Sequence, residues 1–221
     1  MTPCSKRPAR RSGHRTSAIA MRGATLVEMA ITMVLFLMVI FAIAEMALMY
    51  KAKAVVDMAA LAAARAGAVD NARSGLTSQM RLAGKSALAP LYMKRTASKG
   101  ELAGAIVRAN VDATGMFIDV LNPTSASFAD HGVTANGRRF IPNDNLMYRS
   151  TQVKGGSRQN IQDANLLKIR LTYCYKPVLP LNEEYLSLVL AWFNLGDVCR
   201  AQGRIPIRSE AVVRMQSEAV G

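Results

Sequence analysis

Between Met29 and Ala44 the chain reads MAITMVLFLMVIFAIA, an apolar run interrupted only by Thr32. As a helix this run covers about 24 Å, and widening it to Ala24–Tyr50 gives about 40 Å, enough to cross a hydrocarbon core of about 30 Å. A single membrane span is therefore predicted. Ahead of it stand Lys6, Arg7, Arg10, Arg11, Arg15 and Arg22 with no acid, whereas only Lys51 and Lys53 follow closely. Lys and Arg are retained on the cytoplasmic side, so the N-terminus is expected in the cytoplasm and everything after about residue 50 outside it. Removing those six cations from the formal net charge of +13 leaves +7 for the remainder, so much of the basic character is topogenic. Arginines that bind nucleic acid neutralise phosphates and commonly alternate with aromatics. None interleave here, and no nucleic-acid partner is expected.

Helical character does not stop at the apolar run. EMALMYKAKAVVDMAALAAARAGAV has no proline, only Gly67, and many strong helix formers, predicting one helix from about Ala24 to about Ala72. The expected organisation is a basic leader at 1–23, a transmembrane helix at 24–50, its exported extension at 51–72 and an exported domain at 73–221. A cleaved secretory signal is the alternative, because Ala42-Ile43-Ala44 resembles a signal peptidase I site and would release a soluble binding domain beginning at Glu45. Against it, no helix breaker precedes that tripeptide and Glu28 opens the apolar segment.

Glu28 is the anomalous residue. A carboxylate in a membrane span is costly and is usually paired. Ala24 lies four residues earlier, on the same helical face. A cut after Gly23 would turn the Ala24 nitrogen into a cationic amine, available to Glu28 in the same helix or in a neighbouring subunit. A glutamate reaching water at headgroup level is the structural alternative. The stretch RGATLVEMAI resembles the class III processing site of type IV pilins and pseudopilins, in which a prepilin peptidase would cleave between Gly23 and Ala24. More closely, the Gly-Ala start, the Val27-Glu28 pair, the apolar helix and the Ala-rich stretch Ala59–Ala68 resemble the TadE-like family of the tight adherence (Flp) pilus machinery. Met29 stands where that family more often has an aromatic. LTYCYKP and IPIRSEAVVRMQSE are similar to its β-strand ending. The resemblance implies a membrane-anchored minor pseudopilin that supports assembly of an adhesive pilus. Its implied partners are prepilin peptidase, other pilins or pseudopilins and inner-membrane assembly proteins. A type II secretion pseudopilin would share the processing site.

In the exported part, LTSQMRLAGKSALAP predicts a short helix capped by Ser74 or Thr77 and ended by Pro90, and ELAGAIVRANVDATG predicts another. MFIDVLNP predicts a strand stopped by Pro123. Residues 124–164 are loop-rich, with room for a hairpin. LLKIRLTYCY alternates, with Leu167, Ile169, Leu171, Tyr173 and Tyr175 on one face. RIPIRSEAVVRMQ alternates too, placing Ile205, Ile207, Ala211, Val213 and Met215 together, and the two segments are expected to pair antiparallel. Between them NEEYLSLVLAWFN, with Asn182 as cap and Trp192 near its end, predicts a helix. The fold class is thus α+β, a long N-terminal helix leading to a small antiparallel sheet. Cys174 and Cys199 both fall in the exported part, where an oxidising compartment permits a disulfide; two buried thiols are the alternative.

Enzymatic chemistry finds no constellation. His14 and His131 lack partners at metal-ligand spacing, and His131 in ADHG reads as a loop residue. AGKS at 83–86 lacks the first glycine of a phosphate loop, that position being Gln79. Asp144 and the pair Glu183-Glu184 suit solvated or capping roles. No catalytic residue, metal, cofactor or small-molecule substrate is expected.

Overall fold

The computed structural model describes residues 17–73, 75, 78–93, 99–111, 115–135, 137–178, 199 and 204–221. Two units divide the chain, Met1–Ala44 and Glu45–Gly221. Helix α1 covers Ser17–Val69. It starts before the expected Ala24 because SAIAMR contains good helix formers and Gly23 is tolerated within a helix at a cost of about 1 kcal/mol. It ends where Asn71 and Ala72 take left-handed backbone angles, with φ of 55° and 59°. There the Ala72 amide turns back to the Gly67 carbonyl at 2.8 Å, closing the last turn.

In the Glu45–Gly221 unit α1 is followed by α2 (Gln79–Ala87), α3 (Ala89–Tyr92) and α4 (Lys99–Val111). The cap of α2 is Ser78, whose side chain accepts from the Arg81 amide at 3.3 Å, in place of the expected Ser74 or Thr77. Pro90 does not end that helix; it sits in the first turn of α3, where a missing N–H costs nothing. Strands β1 (Met116–Asn122), β4 (Leu166–Tyr175) and β5 (Ile205–Arg214) form an antiparallel sheet in the order β1-β4-β5. Pairing runs from Leu166 opposite Arg214 to Tyr175 opposite Ile205, as the two alternating patterns require. The predicted helix over 182–194, with Asn182 and Trp192, lies outside the described residues.

The core follows from that alternation. Leu167, Ile169 and Leu171 on β4 are fully buried, and Ala59, Ala60, Ala63 and Ala64 on α1 are equally inaccessible. Both groups belong to one hydrophobic cluster. Alanine and glycine let backbones approach closely, and little room remains: a Cβ added at Gly67 would collide with the Met80 side chain and lie 3.0 Å from Leu167 Cδ2. Gly84, the glycine of AGKS, lies within α2, where an added Cβ would stand 3.3 Å from the Ala63 methyl. Its role is helix packing.

Residues 124–164 hold α5 (Ser125–His131), a hairpin of β2 (Val133–Ala135) and β3 (Arg138–Ile141), a 3-10 turn at Leu146–Tyr148 and α6 (Ile161–Ala164). Strand β6 (Ala219–Val220) joins β3, giving a second antiparallel sheet, β2-β3-β6. Polar side chains order this segment. Thr124 and Ser127 cap α5 reciprocally; the Ser127 hydroxyl donates to Gln159 Oε1 at 2.8 Å; Gln159 Nε2 donates to Asn122 Oδ1 at 2.8 Å. His131 corrects the loop expectation, being a buried residue at the end of α5 with Nε2 3.0 Å from the Gln159 carbonyl. The Asp130 carboxyl is held below the usual range, chiefly by the Ser157 backbone N–H that donates to it at 2.6 Å.

Candidate functional site

Sequence reasoning puts the functional weight on α1. Gly23 and Ala24 lie within its helical backbone, one turn before Glu28. Glu28 is exposed, and no ion pair among the described residues involves it. Its carbonyl accepts from the Thr32 hydroxyl at 2.9 Å, so the one hydroxyl of the apolar run is satisfied within the helix. From Leu26 to Ala44 every residue is exposed, with Leu26 at 74% and Phe36 at 61%. One segment of α1 is long and apolar enough to cross a membrane. Apolar surface of this extent is stable in lipid or against a partner, and its helical form satisfies every backbone group along it.

Exposure changes abruptly at Glu45, which is 6% accessible. Its carboxylate accepts from the Val178 amide at 3.4 Å and from the Tyr175 phenol. Burial, together with the negative charge of Glu45 and the hydrogen bond to it, pushes the Tyr175 phenol up to about 12. Sequence reasoning missed this arrangement. The available signal was a lone acid at the end of an apolar run, the same signal that singled out Glu28.

The sign of the Tyr175 shift sets a pH dependence. A phenol with a raised folded-state pKa contributes stability that is complete below its ordinary value near 10 and is lost as pH rises through about 12. Alkaline titration of the full chain in detergent, followed by phenolate absorbance and circular dichroism, is expected to show one late-titrating tyrosine accompanied by unfolding. Tyr175→Phe should delete that late phase.

Further along, α1 is clamped to the sheet and to the C-terminal segment. Lys53 Nζ donates to the Arg208 carbonyl of β5 at 2.8 Å and pairs with Asp57 at 2.5 Å. The amides of Gln216 and Ser217 and the Ser217 hydroxyl all donate to the Ala68 carbonyl at 3.0 Å. Those contacts satisfy an orphan carbonyl in the last turn of the helix. The helix thus has a bare apolar portion and a portion built into a folded domain.

Comparison with known families finds a match, which takes in the bare portion and part of the built-in portion. Residues 23–65 match the family described as TadE-like protein. The matched TadE-like segment opens at Gly23, includes Glu28 and the apolar run, passes through Glu45 and takes in the buried alanines up to Ala64. It does not reach the sheet. No curated protein and no solved structure matches the chain.

Of the other predicted features, Cys174 and Cys199 are bonded as a disulfide, with Cα atoms 5.3 Å apart and a sequence separation of 25. Both are buried. Asp144 pairs with Arg149 at 2.8 Å, a surface contact. Glu183 and Glu184 lie outside the described residues. Among the described residues no group of three or more His, Cys, Asp or Glu could hold a metal ion.

Proposed function

We propose that this chain is a minor pseudopilin that supports biogenesis of a tight adherence pilus and acts as a structural component. The observation that carries this reading is the TadE-like match over residues 23–65, which begins at the glycine of the proposed cut and contains Glu28 and the whole apolar run of α1. In this account prepilin peptidase cleaves between Gly23 and Ala24 on the cytoplasmic face, removing the basic leader. The mature helix stays in the inner membrane with its N-terminus cytoplasmic and the Glu45–Gly221 unit in the periplasm. The Cys174–Cys199 disulfide suits that oxidising compartment. Glu28 then pairs with the new Ala24 amine, within one helix or between adjacent subunits, and so sets the register of assembly with other pilins and inner-membrane assembly proteins.

The boundary between the two units at Ala44 and Glu45 coincides with the alternative signal peptidase I cut. Two observations favour the pseudopilin reading over a released periplasmic binding domain. The helix is unbroken through Ala42–Ala44, and the TadE-like match extends 21 residues past Ala44, to Arg65.

Genetic complementation tests the function. Deleting this chain in its native host should remove surface filaments and surface attachment, and the wild-type chain should restore both. Glu28→Ala is expected to be processed at Gly23 yet to restore filaments poorly. Filaments that persist after the deletion would contradict the proposed function, and full restoration by Glu28→Ala would contradict the pairing role.

A further inference from the structure

We propose that the face of the Glu45–Gly221 unit around Met46–Lys53 is a phospholipid-docking surface, whose groove seats one anionic phospholipid of the leaflet that the domain faces. The inference rests on the reading of α1 as a membrane span. A groove of about 360 Å³ lies between α1 and the start of β5, floored by Met46, Met49, Ile205, Pro206 and Ile207. Tyr50, Lys53 and Arg208 complete its lining. Apolar side chains are unusually bare here: Met46 is 64% exposed, Tyr50 79% and Val178 68%.

Depth along the helix gives those exposures a reason. A hydrocarbon core of about 30 Å takes about 20 helical residues, so a core entered at Met29 is left at about Leu48. Met46 and Met49 then fall at the outer edge of the hydrocarbon, and Tyr50 falls in the interfacial layer where amphipathic rings concentrate. Glu45 would lie at hydrocarbon depth, where a bare carboxylate is costly. The structure buries it in protein and supplies hydrogen-bond donors.

Charge on this face is complementary to an anionic headgroup. The carboxylates nearby are already engaged, Glu45 by Val178 and Tyr175 and Asp57 by Lys53. Arg208, which lines the groove, is exposed, and no ion pair among the described residues involves it. An acyl chain against the methionines and Ile205, with its phosphate at the Arg208 guanidinium, would satisfy both the apolar floor and the basic rim. Arginine is suited to that role because its planar fork binds phosphate bidentately and its stem tolerates an apolar wall.

The test uses the full chain in nanodiscs of phosphatidylcholine with and without phosphatidylglycerol, with retained lipids counted by native mass spectrometry. Alkaline carbonate extraction of native membranes is run in parallel. Wild-type protein is expected to retain phosphatidylglycerol selectively, and Arg208→Glu to cut that retention about tenfold, the loss of one charge-assisted contact. Met49→Trp, which fills the groove without touching the rim charges, should lower retention of the same lipid. Circular dichroism identifies a variant that has not folded, and the second variant then carries the test. Equal retention of both lipids, or retention unchanged in both folded variants, with the chain still resistant to carbonate, would overturn the docking surface and leave the span standing. Release of the chain by carbonate would overturn the span and the docking surface with it.

Discussion

Leu171→Ala is expected to destabilise the Glu45–Gly221 unit by roughly 3 to 5 kcal/mol, the upper part of the range for emptying a buried leucine site. Leu171 is wholly inaccessible and sits in the middle of β4, the central strand of its sheet. Its partners are poorly placed to fill the space. Ser209 is directly opposite on β5 and Ile118 opposite on β1, and each lies within a regularly paired stretch of its ladder. The buried alanines of α1 have no side-chain length with which to lean inward. Chemical denaturation of the full chain in detergent, followed by circular dichroism, checks the value. Val212→Ala, on the exposed side of β5, should change stability by less than about 0.5 kcal/mol. A small loss for Leu171→Ala would mean that the helix and sheet are packed loosely, against the close approach seen at Gly67 and Gly84.

The second large effect is expected at the disulfide. Chain entropy alone assigns roughly 3.5 kcal/mol to a cross-link that closes a loop of about 25 residues. Cys174→Ser, or reduction of the native protein, should therefore lower the denaturation midpoint by an amount comparable to Leu171→Ala. Cys174 is on the last turns of β4 pairing and its own neighbour across the ladder is Pro206, which brings no backbone donor. Losing the cross-link thus weakens a part of the sheet with fewer hydrogen bonds to replace it. A midpoint that does not move on reduction, with thiol labelling showing complete reduction, would contradict this contribution.

How much of this molecule could be read from its residues depended on whether a signal was periodic or relational. The strands β4 and β5 were legible because Leu167, Ile169 and Leu171 alternate with polar neighbours, and their pairing followed because both patterns have the same length and one buried face. The long helix was legible for the complementary reason: nothing between Ala24 and Val69 breaks it. Its start at Ser17 was not, since the leader's dominant signal is its topogenic charge and Gly23 stands between its helix formers and the apolar run. Segment 124–164 looked loop-rich because Ser, Asn and Gly are frequent there. The same residues are what order it: Thr124 and Ser127 cap α5, while Asn122 and Gln159 bond across about 37 residues of chain. Such contacts have no period, so no spacing announces them. Glu45 illustrates the limit most clearly, because its partners Tyr175 and Val178 are more than a hundred residues away and become neighbours only in the fold. Glu28, by contrast, has its proposed partner one helical turn away and could be argued from sequence alone.

The most direct test of this account is the N-terminal residue of the mature protein, read by mass spectrometry from membrane and soluble fractions of the native host. Ala24 is expected in the membrane fraction, with Gly23→Val leaving the uncut precursor. A soluble protein beginning at Glu45, or a membrane protein that still begins at Met1, would contradict it.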